Sequence, residues 1–235
     1  MNLTENRVYR CFEVDVLRGF AIVLMVIFHF CYDLATFGWA SFNTGQDIEW
    51  RIFRAIIVSS FLLAVGMSSY LAYHKHLNVS KLANATCKLI LVAVFLTISS
   101  VFMYPTTWVY FGIIHLIAVA LPISVLFVRR PTISVIVGIL VILLYSLGWL
   151  TMEPIWRWSV SNIGIPKKTV DLASLIPWIG VVLIGIFVMH KHMFSIKLPE
   201  HYIFNKLGML GRHSLTIYLV HQPIMYGMLL AIKSM

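Results

Sequence analysis

Runs of apolar residues long enough to cross a bilayer follow one another along this chain, and no other feature narrows its possible folds so far. A membrane-spanning helix needs about 20 mostly apolar residues, because the helix rises only about 1.5 Å per residue. By that measure the sequence predicts helices near residues 14–38, 52–73, 82–103, 108–128, 132–150, 172–190 and 213–232. Of the 235 residues 60% are hydrophobic and 11% charged, whereas a soluble domain keeps about 25% charged residues. The expected fold is an all-α membrane protein: a single domain over residues 1–235, built as one polytopic bundle of about seven transmembrane helices. The first run is too long for a secretory signal, follows a mixed-charge leader and lacks a small-residue cleavage site, so it reads as an uncleaved anchor.

Charge sets the expected orientation. With the N-terminus in the cytoplasm, twelve of the 18 Lys and Arg, among them Arg7, Arg10, Lys197 and Arg212, fall on cytoplasmic segments or helix ends, the bias that the positive-inside rule requires. The seven Trp residues all fall at expected outer ends or outer loops, where the interface favours an indole. The net charge of +9 then expresses topology and attraction to anionic headgroups or an anionic cytoplasmic ligand. Nucleic acid is a poor partner, because the basic residues are dispersed among loops. Cys11, Cys31 and Cys87 fall at the inner face or within spans, which leaves no disulfide framework to expect.

Against this apolar background the ionisable residues stand out. Asp, Lys or Arg at the centre of a membrane helix costs roughly 2.5–3.5 kcal/mol, so such groups face a cavity or a partner helix. Asp15 and Arg18 share a face of the first helix, and the next residue, Gly19, lets another backbone or a ligand come close. The pair reads either as an anion grip, with Arg18 on a phosphate, or as an interfacial ion pair that orients the helix. His29 and Asp33 are four apart and lie about 16–22 Å beyond Arg18. A carboxylate beside an imidazole suits a general base or an acyl-accepting histidine, and equally a polar pair that holds helices together.

Further candidates follow. His115 enters the fourth predicted helix after Phe111-Gly112 at a level comparable with His29; it reads as a second site histidine or as a packing residue. Asp171 either caps the helix that follows or contacts substrate, and Pro177 is expected to kink that helix near Trp178. Arg212 and His213 open the last helix, where a cation and a helix N-terminus together favour a phosphate. Tyr218, His221 and Gln222 continue inward, and His221-Gln222 could equally repair the backbone ladder that Pro223 interrupts. A metal held by two His and one carboxylate is conceivable from His29, Asp33 and His115, but nothing in their spacing favours it, and no metal is expected.

Four of these motifs, in order, carry a resemblance: Asp15-Val-Leu-Arg18-Gly19 with His29 and Asp33; Phe111-Gly-Ile-Ile-His115; Pro177-Trp178-Ile-Gly180; and Gly211-Arg212-His213-Ser214 through His221-Gln222-Pro223. Together they are similar to bacterial membrane proteins grouped with the heparan-α-glucosaminide N-acetyltransferase catalytic domain. The resemblance implies a multi-pass protein of the bacterial inner membrane, an acyltransferase that takes an acetyl group from cytoplasmic acetyl-CoA. The acceptor it implies is a sugar amine or hydroxyl, on a carbohydrate or glycolipid, at the outer side.

In that scheme Arg18, Lys88, Arg130 and Arg212 surround the nucleotide and pyrophosphate, with Asp15, His213, His221 and Gln222 as further cofactor contacts. Asp171 and Trp178 face the acceptor. The pantetheine arm, about 15–20 Å extended, reaches towards His29, which, held by Asp33, deprotonates the acceptor or transiently carries the acetyl group. The lysosomal enzyme departs from this chain: it has asparagine at the place of His29 and its essential histidine in the next outer stretch, where this chain has none before His74. His29 and His115 therefore both stand as the catalytic histidine. The resemblance leaves room for a homodimer. The rival reading is a proton-coupled transporter or flippase of an anionic or sugar-linked substrate, in which the buried His and Asp relay protons.

Overall fold

The computed structural model describes residues 11–45, 47–193 and 201–234, and among them all regular structure is helical. The helices are α1 (Phe12–Thr36), α2 (Ile48–Tyr73), α3 (Val79–Met103), α4 (Ile113–Val125), α5 (Pro131–Ser146), α6 (Glu153–Asn162), α7 (Leu175–His190), α8 (Tyr202–Arg212) and α9 (Ser214–Lys233). Arg7, Arg10 and Lys197, used above for orientation, lie outside the described residues. Four helices, α1, α2, α3 and α9, are long and apolar enough to cross a membrane, while α4, α5 and α7 are apolar but have 13, 16 and 16 residues. The chain is thus an all-α membrane protein. Cys11, Cys31 and Cys87 are free thiols.

The three shorter helices fall short of their expected bounds for local reasons. Residues 108–112 stay outside α4 because they are tied down elsewhere: the Val109 N–H donates to Ser100 Oγ (2.8 Å) and the Val109 carbonyl accepts from Thr97 Oγ1 (2.9 Å). α5 stops at Ser146 because Gly148 takes a left-handed φ of +76°, after which Trp149 N–H turns back to the Leu144 carbonyl and Gly148 N–H to that of Tyr145. This pair of bonds satisfies carbonyls that the helix end would otherwise orphan. Gly38 (φ +77°) closes α1 with the same pair of bonds, from Trp39 and from itself. Ile176 has non-helical dihedrals (φ −101°, ψ 129°), so the regular turns of α7 start at Pro177. The expected kink inside a helix from 172 becomes a helix start, where proline's missing N–H costs nothing.

α6 and α8 were not expected. α6 is short, with no buried residue, and carries Pro154 in its first turn and an exposed Glu153–Arg157 pair (2.6 Å) one turn apart. Both are local helix signals that leave no sustained run of hydropathy. α8 begins after His201, whose Nδ1 accepts from the Ile203 N–H (3.3 Å), and it buries Gly208 and Gly211.

The described chain divides into two compact units. One holds residues 11–64 and 201–234, hence α1, the first part of α2, α8 and α9. There α8 runs antiparallel to α1 at backbone contact: a Cβ on Gly19 would strike the Leu207 carbonyl, and one on Gly211 would strike the Asp15 carbonyl. α9 then returns alongside α1 in the same direction, with His221 beside His29, Gln222 beside Asp33 and Tyr226 against Phe37. Phe28 of α1 packs edge-on against Trp50 and Phe53 of α2.

The other unit holds residues 65–193. α5 and α7 approach closely at Gly138 and Gly180, each opposite the other's carbonyl, and Ser134 Oγ donates to the Leu183 carbonyl (2.7 Å). Ser124 Oγ of α4 donates to Ser69 Oγ of α2 (2.9 Å). Small residues and short polar bonds are what bind helices where lipid supplies no hydrophobic drive between them.

Gly211→Ala and Gly19→Ala each force a methyl into a backbone carbonyl and should destabilise the protein by roughly 1–3 kcal/mol or more. Gly227→Ala, on α9 with open space around it, should instead stabilise by about 0.5–1 kcal/mol. Thermal unfolding of the detergent-solubilised variants reads both.

Candidate functional site

Within the α1–α9 unit, four polar side chains meet between two apolar helices. Asp33 is fully buried, and its Oδ1 accepts a hydrogen bond from Gln222 Nε2 (2.8 Å). One turn earlier, the His29 and His221 rings lie with centroids 5.1 Å apart, tilted by 58°. His221 Nδ1 sits 2.8 Å from the Tyr218 carbonyl oxygen. A carbonyl only accepts, so Nδ1 carries the proton and the neutral ring keeps its lone pair on Nε2. The carbonyl used is that of Tyr218, not the Leu219 carbonyl that Pro223 leaves without its helical donor. The bond therefore orients the ring rather than mending the ladder.

His29 is the contrast. Among the described residues it makes no hydrogen bond, and its Nδ1 is buried. Helical spacing predicts that Asp33 holds it; the structure shows Asp33 bound across to α9 instead. Residues four apart share a face, but a helix side chain on that face can be claimed by a partner helix, and here Gln222 claims the carboxylate.

The start of α1 behaves as its spacing predicts. Arg18 pairs with the buried Asp15 at 3.5 Å, and Gly19 takes the backbone of Leu207. Arg18 is partly exposed, and Arg212 and His213 are exposed at the junction of α8 and α9. His213 Nδ1 lies 3.0 Å from the Met209 carbonyl, so that nitrogen closes the last turn of α8. At about 1.5 Å per residue, His29 stands about 16 Å along α1 from Arg18.

The remaining candidates lie in the other unit. His115 is in the first turn of α4, shallower than expected, and both its ring nitrogens are engaged. Nδ1 accepts the Gly112 N–H (3.2 Å), and Nε2 lies 3.0 Å from Thr97 Oγ1. Thr97 gives its single hydroxyl proton to the Val109 carbonyl, so Nε2–H donates to the hydroxyl oxygen and the ring is the Nε2–H tautomer. Asp171 does cap a helix, though a different one: its Oδ2 accepts the Ile113 N–H of α4 (3.2 Å), whereas α7 begins after Ser174. Trp178 is half-buried on α7, and Lys88 and Arg130 are exposed, Arg130 as the residue before α5. Thr97 escaped the sequence reading because a threonine within an apolar run carries no pattern that pairs it with a histidine eighteen residues on. Thr97→Val should strand the His115 Nε2–H and destabilise by about 1–3 kcal/mol, measured by thermal unfolding.

Among the described residues no three His, Cys, Asp or Glu side chains are grouped as a metal site. No curated protein and no solved structure matches the chain. A family model does, that of heparan-alpha-glucosaminide N-acetyltransferase, catalytic, over residues 10–223. The match runs through both units, over α1 and the whole of α2 to α8, and into α9 as far as Pro223. It ends one residue beyond the Gln222 that holds Asp33, and so takes in all four polar residues of the α1–α9 seam. By that match the chain belongs to the heparan-alpha-glucosaminide N-acetyltransferase catalytic-domain family.

Proposed function

We propose that this protein is a transmembrane acyltransferase that takes the acetyl group of cytoplasmic acetyl-CoA and delivers it to a sugar amine or hydroxyl at the outer side of a bacterial inner membrane. The observation that carries this reading is the polar cluster of His29, Asp33, His221 and Gln222 between the apolar helices α1 and α9, inside a chain of this acetyltransferase family. Buried polar side chains in membrane helices are costly and mark a working site.

In this reading the N-terminus is cytoplasmic and the shorter α4, α5 and α7 complete about seven passes. Arg18, braced by Asp15, and the exposed Arg212 meet the phosphates of the coenzyme, since a guanidinium binds phosphate with directed, charge-assisted bonds. The pantetheine arm, about 15–20 Å long, matches the stretch of α1 from Arg18 to His29. His29 and His221, their ring centroids 5.1 Å apart, lie at the end of that reach, where a histidine takes the acceptor's proton. The acceptor is a carbohydrate or glycolipid.

A proton-coupled transporter would use the same buried His and Asp as a relay. Family membership favours transfer chemistry over that alternative.

Purified protein should bind coenzyme A with an affinity that falls steeply as salt rises. With acetyl-CoA and a glycolipid extract of bacterial membranes, it should release coenzyme A thiol. His29→Ala should lower that release and spare coenzyme binding; unaltered turnover in the variant would remove His29 from the mechanism. Uptake into proteoliposomes without acyl donor would favour the transporter.

A further inference from the structure

We infer that the general base of this site is His221 of α9. The inference rests on the acetyltransferase reading and assigns within it a role that spacing along α1 had given to His29.

A base must present a lone pair in a fixed place, and its other nitrogen must hold the proton. His221 meets both conditions by geometry. Its Nδ1–H is anchored on the Tyr218 carbonyl at 2.8 Å, which orients the ring, selects the tautomer and stabilises the imidazolium that forms when Nε2 takes a proton. This is the part a carboxylate plays towards the histidine of a catalytic triad. The next residue, Gln222, is bonded to the fully buried Asp33. That bond holds the His221 turn of α9 against α1, which makes Asp33 and Gln222 positioning residues. His29 has no comparable anchor: no hydrogen bond among the described residues fixes its tautomer or its rotation. Its ring lies 5.1 Å from that of His221, within reach of the same substrate groups.

The acceptor nitrogen or oxygen attacks the thioester carbonyl carbon, the new C–N or C–O bond forms, and the C–S bond breaks with its electron pair leaving on the coenzyme sulfur. The acceptor's proton goes to His221 Nε2. The imidazolium returns it to the thiolate, which leaves free coenzyme A thiol and a neutral His221.

His221→Asn is the discriminating variant, because its amide N–H can still donate to the Tyr218 carbonyl while offering no basic nitrogen. With acetyl-CoA and the membrane glycolipid extract, its kcat should fall by about 10²–10⁴-fold, with KM for acetyl-CoA, coenzyme A binding and thermal unfolding close to wild type. Added imidazole should restore part of the turnover of His221→Ala, which a packing role would not allow. Wild-type turnover in His221→Asn overturns the assignment and leaves the acetyltransferase reading standing. A wild-type protein that releases no coenzyme A thiol overturns both.

Discussion

The contact of α8 with α1 is the constraint on which the α1–α9 unit depends. Two helices meet there at backbone distance because Gly19 and Gly211 have no side chains. In lipid, where burying one apolar surface against another gains little over burying it in acyl chains, this close van der Waals approach is what drives helices together. The contact fixes where α8 ends and so where α9 starts. Running back along α1, α9 then brings His221 to His29 and Gln222 to Asp33. A shift of one residue would turn the helix by about 100°, since 3.6 residues make a turn, and the amide would no longer face the carboxylate.

The two units use histidine in different ways. In the unit of residues 65–193, both ring nitrogens of His115 are engaged, one with a backbone N–H at the start of α4 and one with Thr97, and Asp171 takes another N–H of the same helix end. These are groups that close a helix terminus whose amides would otherwise lack acceptors. In the α1–α9 unit, His221 is anchored through Nδ1 on the Tyr218 carbonyl, and His29 is held by packing against Phe28 and His221. A carbonyl that holds Nδ1–H leaves the basic lone pair on Nε2, the tautomer a proton acceptor needs, whereas in His115 the Nε2 carries the proton.

Much of this was legible in the residues. The apolar runs gave helices within a few residues of α1, α2, α3 and α9, because bilayer length and hydropathy are local properties of the chain. The Asp15–Arg18 pair and the close approach at Gly19 followed from a spacing of three and from a missing side chain. The motifs around Asp15, His115, Pro177 and His213 pointed to the family. α6 and α8 were missed because their signals lie in capping and in glycine positions rather than in sustained hydropathy. The partner of Asp33 was misread because spacing along one helix says which residues share a face and nothing about what comes to meet it.

The sequence by itself determined that the chain is helical and membrane-embedded, and where ionisable residues interrupt its apolar runs, since each of these follows from composition and periodicity within a single segment. Tertiary structure alone decided that Asp33 bonds Gln222, 189 positions away, that Asp171 caps α4, and that Thr97 of α3 meets His115 of α4. These depend on which surfaces of distant segments meet, and a hydrogen bond is directional over a few tenths of an ångström, a precision that no one-dimensional pattern encodes.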